Sequence, residues 1–150
     1  MKALTICEPF ATLICLPDDD PRAKRVENRN WRTTYRGPLL IHAGKSKAYL
    51  GRAGDYELKE SDLTFGAVIG ICDLAGCFHV HPAFGCMKLI VPQPARIKWP
   101  WLVGHEHTEG PYCFVLTTVR RFIKPIPWTG AHGIFTVPDQ IVAEAIQEAA

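Results

Sequence analysis

Long apolar runs are missing from this chain: no hydrophobic stretch in its 150 residues approaches the length, about 18 residues, that a membrane-crossing helix needs. A charged n-region leading into an apolar h-region is missing too, so no secretory leader is expected and the sequence reads as cytoplasmic. Without an export signal a disulfide framework is not expected either, although cysteines stand at 7, 15, 72, 77, 86 and 113. They lie among apolar neighbours, as in Ile14-Cys15-Leu16 and Tyr112-Cys113-Phe114, where a reduced thiol behaves as a small hydrophobe. Internal repeats and low-complexity segments are absent, which excludes solenoid and linker-like architectures.

A recognisable metal knuckle is lacking as well. Cys77, His79, His81 and Cys86 form the one cluster with ligand chemistry, but C-x-H-x-H-x4-C fits no common zinc motif, and alternate residues of a strand would supply at most three ligands. No metal and no cofactor are expected. His105-Glu106-His107 reads as a polar loop.

What is present is ordinary globular usage, 47% hydrophobic and 21% charged, enough for one core and a single domain over 1–150. The net charge of +2 matters less than its distribution. Arg22, Lys24, Arg25, Arg29, Arg32, Arg36, Lys45, Lys47 and Arg52 stand against Glu27 alone, with Asp18, Asp19 and Asp20 upstream and Asp55, Glu57, Glu60 and Asp62 downstream. Such a basic block makes a local positive field suited to phosphate. Trp31 and Tyr35, interleaved in it, could stack on bases or serve as core aromatics.

Inside the block lies Lys24-Arg25-Val26-Glu27-Asn28-Arg29, a K-x-x-E-x-R motif. If extended, it points Glu27 and Arg29 to one face and Lys24 to the other; if it turns, all three can converge. Arg offers a planar donor fork, Lys a point charge, and Glu an acceptor or proton relay, a set that suits a polar planar ligand. A buried ion-pair network that fixes the loop is the competing reading.

Hydrophobic patterning gives a first strand over Lys2 to Cys7, a short helix from Glu8 to Leu16 and a buried strand from Leu39 to Ala43. Lys45 to Glu60 reads as a helix weakened by Gly51 and Gly54, or as two shorter ones. A long strand follows over Gly66 to Val80, with a bend at its glycines. Pro82 to Trp101 is expected to be an ordered loop with little regular structure, held by Phe84, Ile97, Trp99 and Trp101. Tyr112 to Ile123 reads as a strand, Pro125 to Gly133 as a turn-rich linker, Ile134 to Val137 as a last strand and Pro138 to Ala150 as a helix. Five or six strands without βαβ alternation predict a mainly β (α+β) fold, a small bent β-barrel with short flanking helices.

The order of segments carries a resemblance. A starting strand leads into Glu8-Pro9-Phe10-Ala11, then come K-x-x-E-x-R, an aromatic and Arg36-Gly37-Pro38 with a hydrophobic strand ending at Ala43-Gly44-Lys45. Together with Glu109-Gly110-Pro111-Tyr112 through Leu116 and Pro125-Ile126-Pro127, this resembles the ASCH domain family, of bacterial and phage type, a branch of the PUA-like superfamily. The resemblance implies a PUA-like barrel with a cleft lined by the K-x-x-E-x-R segment. It implies RNA, a nucleotide or a modified nucleoside as ligand, with Lys24, Glu27, Arg29, Trp31, Arg36, Lys45 and Tyr112 as binding candidates. The alternative it implies is a small metal-independent hydrolase. An N4-acetylcytidine-type amidohydrolase would use Lys24 as base and Glu109 as distal acid, but Glu27 stands where that activity needs a threonine nucleophile. A ribonuclease would rely on Lys24 or Lys45 for charge and on Tyr35 or Glu27 for the proton.

Overall fold

The computed structural model describes residues 1–82 and 89–149. Phe84 and Cys86, and the end of the expected C-terminal helix at Ala150, lie outside them. Eleven regular elements follow in chain order among the described residues: β1 (Lys2–Ile6), α1 (Phe10–Ile14), β2 (Val26–Arg29), β3 (Gly37–Ala43), β4 (Ala67–His79), β5 (His81–Pro82), β6 (Leu89–Ile90), α2 (Gln93–Lys98), β7 (Tyr112–Pro127), β8 (Ile134–Thr136) and α3 (Asp139–Glu148). Six strands form one mixed sheet in the order β2-β7-β4-β3-β1-β8, and β5 and β6 form a separate antiparallel pair. The expected class, mainly β with short helices, is the one observed. Among the described residues no helix is long and apolar enough to cross a membrane.

The chain divides into two compact units. The first comprises Met1–Lys24, Pro38–Asp73 and residues 118–150. In it β1 runs parallel to β3, with Leu4 opposite Ile41, and antiparallel to β8. The apolar run of β3 is buried from Leu39 to Ala43, as expected of a strand covered on both faces. Its core gathers Ala3, Leu40, Val68, Ile71, Phe122, Val137 and Val142, and Ala145 and Ile146 of α3 pack against it. Glu8 is fully buried at the opening of α1, where its carboxylate accepts from the Thr12 amide (2.9 Å), the Thr12 hydroxyl (2.9 Å) and the Thr64 amide (3.2 Å). His42 on β3 is also buried; Thr5 lies 3.2 Å from its Nδ1, and the Trp128 carbonyl accepts from its Nε2 at 2.9 Å. A carbonyl can only accept, so Nε2 carries hydrogen, and in the neutral ring Nδ1 is left to accept from the Thr5 hydroxyl.

The second unit comprises Arg25–Gly37 and Leu74–Thr117. Here β2 pairs antiparallel with the start of β7, Val26 opposite Val115 and Arg29 opposite Tyr112. Val26, Val80, Val91, Ala95, Leu102, Cys113 and Val115 make its core, with Ala75, Phe78 and Trp99 packed on it. Gly76 is required by that packing: a Cβ there would collide with the Trp99 ring.

Several expectations need correction. The segment from Lys45 to Glu60 forms 3₁₀ turns at Leu50–Tyr56 and Glu60–Asp62 rather than an α-helix, consistent with the poor helix propensity of Gly51 and Gly54. The described part of Pro82 to Trp101 holds more regular structure than expected of an ordered loop, with β6, α2 and the start of a 3₁₀ turn at Pro100–Leu102. Trp99 does hold it to the core, whereas Ile97 is 72% exposed and Trp101 41%. The expected linker from Pro125 begins as strand, because β7 continues to Pro127. His105 to His107 form a loop as expected, and within it His107 is buried.

Candidate functional site

Alternation along β2 sorts the motif. Val26 and Asn28 share one face, and their partners Val115 and Cys113 belong with Val26 to the core. Glu27 and Arg29 share the other face with Phe114 and Tyr112 opposite them. There Arg29 Nη2 donates to Glu27 Oε1 at 3.0 Å, with both side chains largely shielded from water. Trp31 stands edge-on to Phe114, ring centroids 5.1 Å apart. The motif is therefore extended from Val26 to Arg29, and Glu27 and Arg29 meet as an ion pair.

Asn28 was quoted in the motif without a role, yet it organises the segment ahead of β7. Its Nδ2 donates to the His107 carbonyl at 2.8 Å, and its Oδ1 accepts from the amides of Glu109 (3.1 Å) and Gly110 (2.8 Å) and from Cys113 Sγ (3.4 Å). This one side chain copies the backbone partners of a strand. Glu109 is thus fixed through its amide while its side chain is exposed.

A groove of about 520 Å³ opens in the second unit, lined by Arg32, Thr33, Thr34, Arg36, Cys77, Phe78, His79 and Tyr112. Arg36 Nη1 donates to the carbonyls of Thr33 (3.1 Å) and Tyr35 (2.7 Å), which sets the orientation of its guanidinium. On β4, Cys77 and His79 project to the same side, two residues apart. The His79 ring stands 4.9 Å from that of Tyr112, and its Nδ1 is 2.9 Å from Nε2 of His81. No aspartate or glutamate appears among the described lining residues, so the cavity presents guanidinium, hydroxyl and imidazole donors beside aromatic rings.

Of the expected binding residues, Arg36 and Tyr112 line this groove, and Tyr35 lies between the lining residues Thr34 and Arg36. Lys24 and Lys45 belong to the first unit. Lys24 is buried, its amide donating to the Leu13 carbonyl at 3.0 Å and its ammonium 5.9 Å from the Phe10 ring centroid. Lys45 lines a second cavity, of about 460 Å³, with Gly66, Pro127, Trp128 and Thr129. Arg32, Thr33, Thr34, Cys77 and His79 were not singled out as ligand contacts. The alternation of Cys77, His79 and His81 is the signal the sequence holds for this side of the groove. Cys86 lies outside the described residues, and among those described no three His, Cys, Asp or Glu side chains are grouped to hold a metal ion.

No family model and no curated protein sequence matches this chain. Solved structures do. The ASCH protein from Zymomonas mobilis aligns over 99% of this chain and 95% of its own, with a TM-score of 0.53 at 14% identity. A point mutant of that protein aligns over 99% and 98%, with a TM-score of 0.52. The chain has the ASCH fold. At such identity the likeness concerns the path of the chain, and it bears out the ASCH fold expected from the order of motifs. The ASCH fold here spans both units, since the alignment covers nearly every residue.

Proposed function

We propose that this protein binds RNA or a modified nucleoside, and that the groove of the second unit takes the ligand. The observation that carries the reading is the set of residues in that cavity: two arginines, two threonines and a histidine line it with Tyr112, and no described carboxylate does. Arginine forks pair with phosphate oxygens through parallel hydrogen bonds, and aromatic faces accept bases by stacking. The ASCH fold supports the reading at the level of architecture. Lys24 and Lys45, the remaining basic candidates, belong to the first unit, and Lys24 is buried there.

Fluorescence anisotropy with a short labelled single-stranded RNA tests this. An Arg32→Ala/Arg36→Ala double variant should weaken binding about tenfold or more, since each charge-assisted contact is worth about 1.5 to 3 kcal/mol before solvent screening. A Lys59→Ala variant in the first unit serves as the control and should bind as the wild type does. Equal affinity of the double variant and the wild type would remove the groove from the interaction.

Hydrolysis is the second reading, and one observation favours it: the hydrogen-bonded His79 and His81 put a proton-transfer pair at the groove, where the sequence had offered only Lys24, Glu27, Tyr35 and Glu109. Gel analysis of the same RNA after incubation separates the two. Shortened products that disappear with His79→Gln mark an enzyme, and an intact oligonucleotide in a stable complex marks a binder.

A further inference from the structure

We propose that the groove is selective for a phosphomonoester, the phosphate at an RNA end or on a free nucleotide, and that the His79–His81 pair takes up a proton as this group binds. The inference rests on the reading of the groove as the ligand site and names the part of the ligand it holds.

Two features distinguish a monoester site from a track for internal phosphodiesters. The first is concentration of donors. Arg32 and Arg36, with the hydroxyls of Thr33 and Thr34, come from one short stretch of chain, and His79 comes from β4; all line the same cavity of about 520 Å³. A backbone track spreads its positive charge along the strand it follows, one contact per phosphate. Here two arginines line one volume. Arg36 spends only Nη1 on the carbonyls of Thr33 and Tyr35, so its Nε and Nη2 are directed elsewhere.

The second feature is the histidine pair itself. A hydrogen bond between His79 Nδ1 and His81 Nε2 at 2.9 Å needs one ring to donate and the other to accept. When the pair is neutral, the shared proton leaves one outer nitrogen without hydrogen. One further proton fills that position without breaking the bond between the rings. Both outer nitrogens, including His79 Nε2, are then donors, and the pair carries a single positive charge. A phosphomonoester changes from singly to doubly charged with a pKa of about 6, in the range where imidazole also titrates. Arg32 and Arg36, from the segment before β3, are the charged groups that line the cavity with His79; Cys77 of β4 and Tyr112 of β7 are the other titratable side chains described in that lining. With no described carboxylate in the lining, the described charged groups of the cavity are cations, and the extra proton becomes favourable when a dianion enters. A diester, with a single charge, provides less of that compensation.

The test uses one short oligoribonucleotide in three forms, with a 5′-phosphate, with a 3′-phosphate and with hydroxyls at both ends, alongside adenosine monophosphate. Binding is measured by calorimetry at about pH 6.5 and about pH 8, in two buffers of different ionisation enthalpy. Expected is about tenfold tighter binding of one end-phosphorylated form than of the hydroxyl form near pH 6.5, with that preference shrinking at the higher pH and net proton uptake on binding. Comparable affinity for adenosine monophosphate identifies a free nucleotide as sufficient; much weaker affinity assigns the site to an RNA end. His79→Gln, which removes the ring that lines the groove, should sharply reduce the proton uptake and the pH dependence while Arg32 and Arg36 keep binding RNA, and His81→Gln should reduce both in part. Equal affinity for all three RNA forms at both pH values, with binding still lost in Arg32→Ala/Arg36→Ala, overturns the monoester inference and leaves the RNA reading standing. If no RNA form and no nucleotide binds, the reading beneath it fails as well.

Discussion

Glu8 is the clearest case of a residue whose environment determines its chemistry. Burial raises its carboxyl above the usual value of 4.5, against the opposing pull of the Thr12 and Thr64 amides, the Thr12 hydroxyl and the positive charge of Arg121. A raised folded-state pKa gives stability that is fully present below the unfolded value and is lost as pH rises through the folded one. Urea titrations of the wild type and Glu8→Gln at acidic and neutral pH should therefore show the wild-type advantage shrinking as pH increases. A constant difference would mean that Glu8 does not titrate differently in the folded chain. Asp20 runs the other way. The side chain of Arg22, then its amide, holds the Asp20 carboxyl at about 2, so that contribution is present above the usual 3.8 and fades as pH falls toward 2.

Asn28 makes a prediction of a different kind. Replacing it with alanine removes the partner of one carbonyl and two amides in the segment 107–110. At about 1 kcal/mol per net hydrogen bond, Asn28→Ala should cost about 2 to 3 kcal/mol, measured by chemical denaturation. An asparagine inside a charged motif carries no sequence signal of this role, because its partners lie about 80 positions downstream.

At the scale of elements, legibility followed the strength of the periodic signal. Leu39 to Ala43 and Ala67 to His79 carry the clearest strand patterns, and both formed strands as expected. Val26–Arg29 was left open between strand and turn, since four residues with three polar side chains give no period to read; its pairing with β7 decided the matter. Prolines misled the reading twice. Pro94 sits in the first turn of α2, where its missing amide costs nothing, and Pro125 and Pro127 end a strand whose register with β2 covers only Tyr112 to Val115. Gly76 tests the packing of β4 directly. Gly76→Ala drives a methyl group into the Trp99 ring and should lower stability by about 1 to 3 kcal/mol, with a change in tryptophan fluorescence reporting displacement of the indole.

For the whole molecule, the uneven distribution of charge says more than the net +2. If the ligand's phosphates meet two or three basic side chains, raising salt from about 50 to 200 mM should weaken single-stranded RNA binding roughly seven- to twentyfold. Anisotropy across that range checks it, and a flat response would point to recognition of the base alone. The fold was legible at this scale because the order of segments, rather than any single motif, carried it. The groove was legible only in part. Arg36 and Tyr112 were named from the basic block and the second motif, but their meeting with His79 depends on strand pairing between residues distant in sequence.

One lining residue also makes the groove convenient to interrogate. Cys15, Cys72 and Cys113 are buried, and Cys77 sits partly exposed among the groove's cations. With Cys7 and Cys86 replaced by serine, Cys77 becomes a built-in footprinting handle. Its alkylation rate, followed by intact-mass spectrometry, should fall when an occupant shields the thiol, so candidate compounds can be ranked without any label.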